Sequence, residues 1–145
     1  MAFVIDDSVE IAASAEVVWK VLTDFERYGE WNPFVSACAT TLEPGSPIDM
    51  RVQLGPRQRA QREWIRSHTP GTEFSYAMKP LPLGALRSLR SHTLTPLTPT
   101  ITRYTSHFEL DGWLRPLVTV PMGKALQSGF TAMTAALKTR AEQLA

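Results

Sequence analysis

The sequence predicts an α+β fold: a curved seven-stranded antiparallel β-sheet wrapped around one long C-terminal α-helix, with two short helices after the first strand. Two patterns carry this expectation. Residues 3–11 and 48–54 alternate apolar with polar, the period of a strand with one buried face. The last quarter switches to helical spacing and holds it for about 24 residues, roughly 36 Å of helix. At 145 residues the chain fits one domain, 1–145, around one core.

Each element has a local reason. Phe3, Ile5, Val9 and Ile11 share one parity, with Asp7 interrupting it and placed at a wetter edge. Ser14 precedes Ala15–Thr23 and suits an N-cap, because its hydroxyl accepts an orphan amide hydrogen. Val18, Val21, Leu22 and Phe25 recur at helical spacing. A second short helix is expected around Phe25–Trp31, ended by Asn32-Pro33, since the residue before proline avoids the helical region. Ile48, Met50, Val52 and Leu54 alternate with Asp49, Arg51 and Gln53, between turns at Glu43-Pro44-Gly45-Ser46 and Gly55-Pro56. Residues 59–68 read as a strand whose inward parity is ambiguous. Arg57, Arg59, Arg62 and Arg66 along it are expected on a solvated face. Strands follow at 74–78, 86–94 and 101–110, the last two joined by a Thr/Pro-rich turn. In the final helix Met122, Leu126, Phe130, Met133, Leu137 and Leu144 form the apolar stripe, and Pro121 is placed in the first turn.

Consecutive strands with tight turns make an antiparallel sheet, whose apolar face must be covered. Only the final helix is long enough to cover it. Where sheet and helix diverge, a ligand cavity is expected.

Composition narrows the function. Fifteen basic residues against 14 acidic give a net charge of +1, without the electrostatic footprint of a nucleic-acid binder. One cysteine, Cys38, excludes an internal disulfide. The start lacks the basic region of a signal peptide, and no apolar run approaches the ~20 residues of a membrane span. A cytoplasmic location is expected. A homodimer is left open.

Chemical motifs are sparse. His68, His92 and His107 do not pair at metal-ligand spacing, so no metal is expected. The dispersed glycines form no phosphate loop, and no cofactor is expected. Cys38, in a strand-like run that supplies the remaining strand, reads as a small buried hydrophobe. What remains is a set of polar residues with inward parity. Arg90 and His92 share a strand face with Leu94, and Tyr104 and Ser106 share a face of the neighbouring strand. Arg90, His92 and Tyr104 could orient a ligand carbonyl or, as catalytic candidates, transfer a proton. Around them the expected ligand-binding wall is Trp31, Phe34, Met50, Val52, Phe74, Tyr76, Phe108, Met122, Leu126, Phe130 and Met133, with Ser106. Most of these side chains must also pack the core. Trp31 and Phe34 are expected to be buried at one end of the cavity.

Two stretches carry a resemblance. Trp19-Lys20-Val21-Leu22-Thr23-Asp24-Phe25, with Tyr28-Gly29-Glu30-Trp31-Asn32-Pro33-Phe34, resembles the front end of the START-like superfamily, in the polyketide cyclase/dehydrase and lipid-transport subgroup (SRPBCC). Thr102-Arg103-Tyr104, Gly112-Trp113-Leu114 and a helix ending Leu137-Lys138-Thr139-Arg140-Ala141-Glu142 resemble its back end. The resemblance implies a helix-grip fold with an internal site for a small hydrophobic ligand, a lipid or polyketide-like molecule. It does not imply an activity. Phe108 stands where many relatives carry an acidic residue, so no acid–base role attaches to it. The leading expectation is non-catalytic binding. The alternatives are a polyketide aromatase/cyclase or dehydratase using the polar residues, and a partner-regulating domain.

Overall fold

The structure is a computed structural model describing residues 1–145. The chain runs β1 (Phe3–Ile11), α1 (Ala15–Thr23), a 3₁₀ helix (Phe25–Glu30), β2 (Val35–Ala39), β3 (Pro47–Leu54), β4 (Arg57–Thr69), β5 (Glu73–Ala77), a short 3₁₀ turn (Pro82–Gly84), β6 (Arg87–Thr98), β7 (Ile101–Asp111) and α2 (Pro116–Leu144). The seven strands form one sheet in the order β1-β7-β6-β5-β4-β3-β2, every neighbouring pair antiparallel. The sheet curls around α2. This is the helix-grip arrangement that the resemblance implies.

The chain leaves β1 at one edge of the sheet and reaches β2 at the other by way of α1 and the 3₁₀ helix. Ser14 caps α1, its hydroxyl accepting from the Val17 amide at 3.2 Å. Asn32 makes the sharp entry into β2. Its Oδ1 accepts from the amides of Phe34 and Val35 at 2.9 and 2.8 Å, turning Phe34 inward. At the far end Gly112 has φ +120°, and a Cβ there would lie 2.3 Å from the Ala85 carbonyl oxygen, so only glycine fits.

Several expectations need correction. Pro116, not Pro121, occupies the first turn of α2, and Pro121 lies inside the helix. A proline with its missing amide is favoured at the first position, and Pro116 reaches it first. Leu144 is exposed at the end of α2, while Ala141 and Leu137 are buried. β6 continues through Pro96 to Thr98, so the Thr/Pro-rich turn shrinks. The register slips between Pro96 and Thr98, where a missing amide is tolerated. Asp7 accepts a hydrogen bond from Thr131 of α2 at 3.1 Å, bridging strand and helix. The arginines of β4 are all exposed but do not share one face, because residues 57 and 59 differ in parity from 62 and 66.

Candidate ligand cavity

The core splits around α2. Its C-terminal half packs tightly through Met133, Thr134, Leu137 and Ala141. Between its N-terminal half and the sheet lies a cavity of about 410 Å³. α2 contributes Val118, Met122, Leu126 and Phe130 to the wall. Phe34 and Val35 enter from the start of β2, and Met50, Val52 and Leu54 from β3. Tyr76 and Met78 come from β5 and the residue after it, and Phe108 and Leu110 from β7. Phe34 packs edge-on against Phe130, with ring centroids 4.9 Å apart.

The polar part of the wall lies on β4 and β6: Arg59, Gln61, Arg62 and Glu63 on the first, Ser88 and Arg90 on the second. Arg90 is 3% exposed. Its guanidinium lies 4.2 Å from the Phe130 ring centroid, donates to Ser106 Oγ, and makes a 3.9 Å contact with Met133 Sδ. Its Nε has no partner. Glu63 is 8% exposed and accepts from Gln61 Nε2 at 2.5 Å. Burial pushes its carboxyl above the usual range, opposed by the Gln61 hydrogen bond and the Arg90 charge.

Glu63 is absent from the sequence-based candidates, yet a signal for it exists. The two-residue Gly55-Pro56 turn pairs Leu54 with Arg57 and hence Ile48 with Glu63, Met50 with Gln61 and Val52 with Arg59. Residues directly opposite in an antiparallel pair share a face. The apolar alternation of β3 therefore fixes the inward face of β4, whose own composition leaves it ambiguous.

Other sequence candidates lie outside the cavity wall. His92 and Tyr104 are 1% and 0% exposed and bond each other, Nδ1 to hydroxyl, at 2.6 Å. His92 stacks on Phe74 at 4.7 Å. Burial drives the His92 pKa well below its ordinary value and raises that of Tyr104. Ser106 and Met133 are buried, and each contacts the Arg90 guanidinium. Phe74, His92 and Met133 instead border a separate void of about 10 Å³, at most one water in size. Cys38 borders the same void, and burial pushes its thiol up to about 12. Trp31 is partly buried and packs edge-on against Tyr28 at 5.2 Å, away from the cavity. Of the polar trio, only Arg90 faces the large cavity. The inward parity is shared, but the ring of Phe74 and the close packing of α2 seal off the rest.

The model of the polyketide cyclase/dehydrase and lipid transport family matches residues 2–142. The chain belongs to this family. A search among curated proteins finds no significant match. Among solved structures, a START superfamily protein from Mycobacterium smegmatis is 21% identical, with a TM-score of 0.75, covering 98% of this chain and 99% of its own. The Zhui aromatase/cyclase from Streptomyces sp. R1128 is 14% identical, with a TM-score of 0.78 and coverage of 99% and 95%. A norcoclaurine synthase from Thalictrum flavum is 16% identical, with a TM-score of 0.68 and coverage of 99% and 96%. At these identities the likeness is one of fold.

Proposed function

We propose that this family member binds one small, mostly apolar molecule in the cavity between the sheet and the N-terminal half of α2, as a carrier or receptor and not as a catalyst. The observation that carries this reading is the 410 Å³ cavity itself, set in a core that elsewhere packs tightly. Protein interiors are close-packed, and a void of this size is of ligand dimensions. The wall is dominated by aliphatic, aromatic and methionine side chains, which give affinity without demanding one ligand shape. His92 and Tyr104, the pair chemically suited to proton transfer, are bonded to each other behind the wall.

One observation favours a second reading, an aromatase/cyclase or dehydratase type of enzyme. Glu63 places a carboxyl of raised proton affinity in the wall of an apolar cavity, as a general acid requires. The aromatase/cyclase among the structural neighbours lends this reading a precedent in fold alone.

The test uses a neutral fluorescent hydrocarbon-like probe, N-phenyl-1-naphthylamine. Saturable binding of one probe per chain, at about micromolar strength, is expected. Val118→Trp, which fills the space from α2, should abolish it while circular dichroism stays unchanged. Failure of the parent to bind, or equal binding by the filled variant, would overturn the reading.

A further inference from the structure

We propose that the ligand is an amphipathic acid, a mostly apolar molecule whose one anionic head, a carboxylate or similar oxyanion, is held by Arg90. The inference rests on the cavity-binding reading and adds the chemistry of the head group.

Arg90 is the starting point. An arginine side chain stays charged at any physiological pH. Its burial is costly unless the charge is paired. Here no carboxylate lies within 4 Å of the guanidinium: none of the ion pairs of the fold includes it. Its partners are all neutral, namely the Ser106 hydroxyl, the Met133 sulfur and the Phe130 ring, and Nε has none. These contacts fix the guanidinium plane without neutralising it. A preoriented fork without a direct ion pair is suited to a planar carboxylate, which accepts two parallel N–H bonds.

The rest of the wall points the same way. Its charged residues are Arg59, Arg62, Arg90 and Glu63. Arg62 is neutralised outside the cavity by Asp49, through contacts of 2.6 and 3.0 Å. Glu63 is occupied by the Gln61 amide and makes no ion pair with any arginine of the wall. Two positive charges thus face one negative, and the more deeply buried arginine has no carboxylate at ion-pair distance, the Glu63 charge reaching it only from further off. A cationic head would meet Arg90. A neutral ligand would leave the guanidinium as it is. An anion supplies what is missing, and the apolar side chains around it take the remainder of the molecule.

The experiment compares three probes of equal chain length by titration calorimetry below their aggregation limits: decanoate, 1-decanol and decylammonium. The parent should bind decanoate at least about tenfold more tightly than 1-decanol, the expected gain from a charge-assisted hydrogen-bonded pair. Decylammonium should bind weakest. Arg90→Gln should bring decanoate and 1-decanol to within about twofold of each other, with 1-decanol still bound. If Arg90→Gln does not fold, the order of the three probes in the parent decides. Equal or tighter binding of 1-decanol or decylammonium by the parent would overturn the anion assignment and leave the cavity reading standing. So would a preference for decanoate that survives in Arg90→Gln. Failure of all three probes to bind would overturn both.

Discussion

Single side chains in this molecule divide into those that face the cavity and those that hold its walls in place. His92 belongs to the second kind. It is neutral in the fold, stacked on Phe74 and bonded to Tyr104. Its folded pKa is depressed well below 6.5, by burial first and by the Arg90 charge second. As pH falls below about 6.5, the unfolded chain takes up a proton that the folded chain refuses. The stability present above that pH is therefore lost on acidification. As pH falls below 6.5 the parent should lose stability more steeply than His92→Gln, the difference in slope starting at about half of 1.4 kcal/mol per pH unit and approaching about 1.4 as the unfolded histidine becomes fully protonated, measured by urea melts of both proteins across the range. Equal slopes would mean that His92 titrates freely. Gly129 is a second case. A Cβ there would fall 2.1 Å from the Phe34 ring. Gly129→Ala should destabilise by about 1–2 kcal/mol, the overpacking cost exceeding the gain in helix propensity. Combining it with Phe34→Leu should recover part of the loss, because the smaller side chain relieves the clash.

Among the elements, those with strong periodicity are readable from sequence alone. β1 and β3 alternate cleanly, and α1 carries both its cap and its apolar stripe. β4 is different. Its arginines, glutamines and Glu63 give no apolar parity, and its inward face is set by pairing with β3 through a two-residue turn. That dependence hides Glu63, Gln61 and Arg59 from a reading made strand by strand. The start of α2 is hidden for another reason, since two prolines compete for the first turn and Pro116 takes it. Pro121 then sits in the helix without an amide to donate, a defect worth up to about 3 kcal/mol. Pro121→Ala should raise stability by about 1–3 kcal/mol in denaturant melts. It should also slow amide exchange in the first turns of α2. An unchanged midpoint would show that the helix has already absorbed the proline by a local kink.

At the scale of the whole molecule, fold and cavity follow from one mismatch. The sheet curls, α2 buries Phe130, Met133, Thr134, Leu137 and Ala141 along its C-terminal half, and its N-terminal half reaches the sheet at Gly123 beside Phe3 but borders the cavity through Val118, Met122 and Leu126. The order of elements along the chain is enough to make this arrangement legible. The membership of the cavity wall is only partly legible, because parity tells which face a residue is on and not how deep it sits. Phe34, Met50, Val52, Tyr76, Arg90, Phe108, Met122, Leu126 and Phe130 line the cavity. Phe74, His92, Tyr104 and Ser106 have the same inward direction but are buried away from the cavity, and Met133 packs among them from the C-terminal half of α2. No helix is long and apolar enough to cross a membrane.

The methionines report directly on whether a ligand occupies this cavity. The chain has five, and they are well spread: Met50, Met78 and Met122 line the cavity, Met133 lies behind Arg90, and Met1 is fully exposed. With the methyl groups labelled with carbon-13, the protein is titrated with N-phenyl-1-naphthylamine and followed by nuclear magnetic resonance. The Met50, Met78 and Met122 methyl signals should shift together and saturate at one probe per chain, while Met1 stays still. Saturable binding that leaves those three methyls unmoved, or that moves Met1 alone, would contradict occupancy of the cavity.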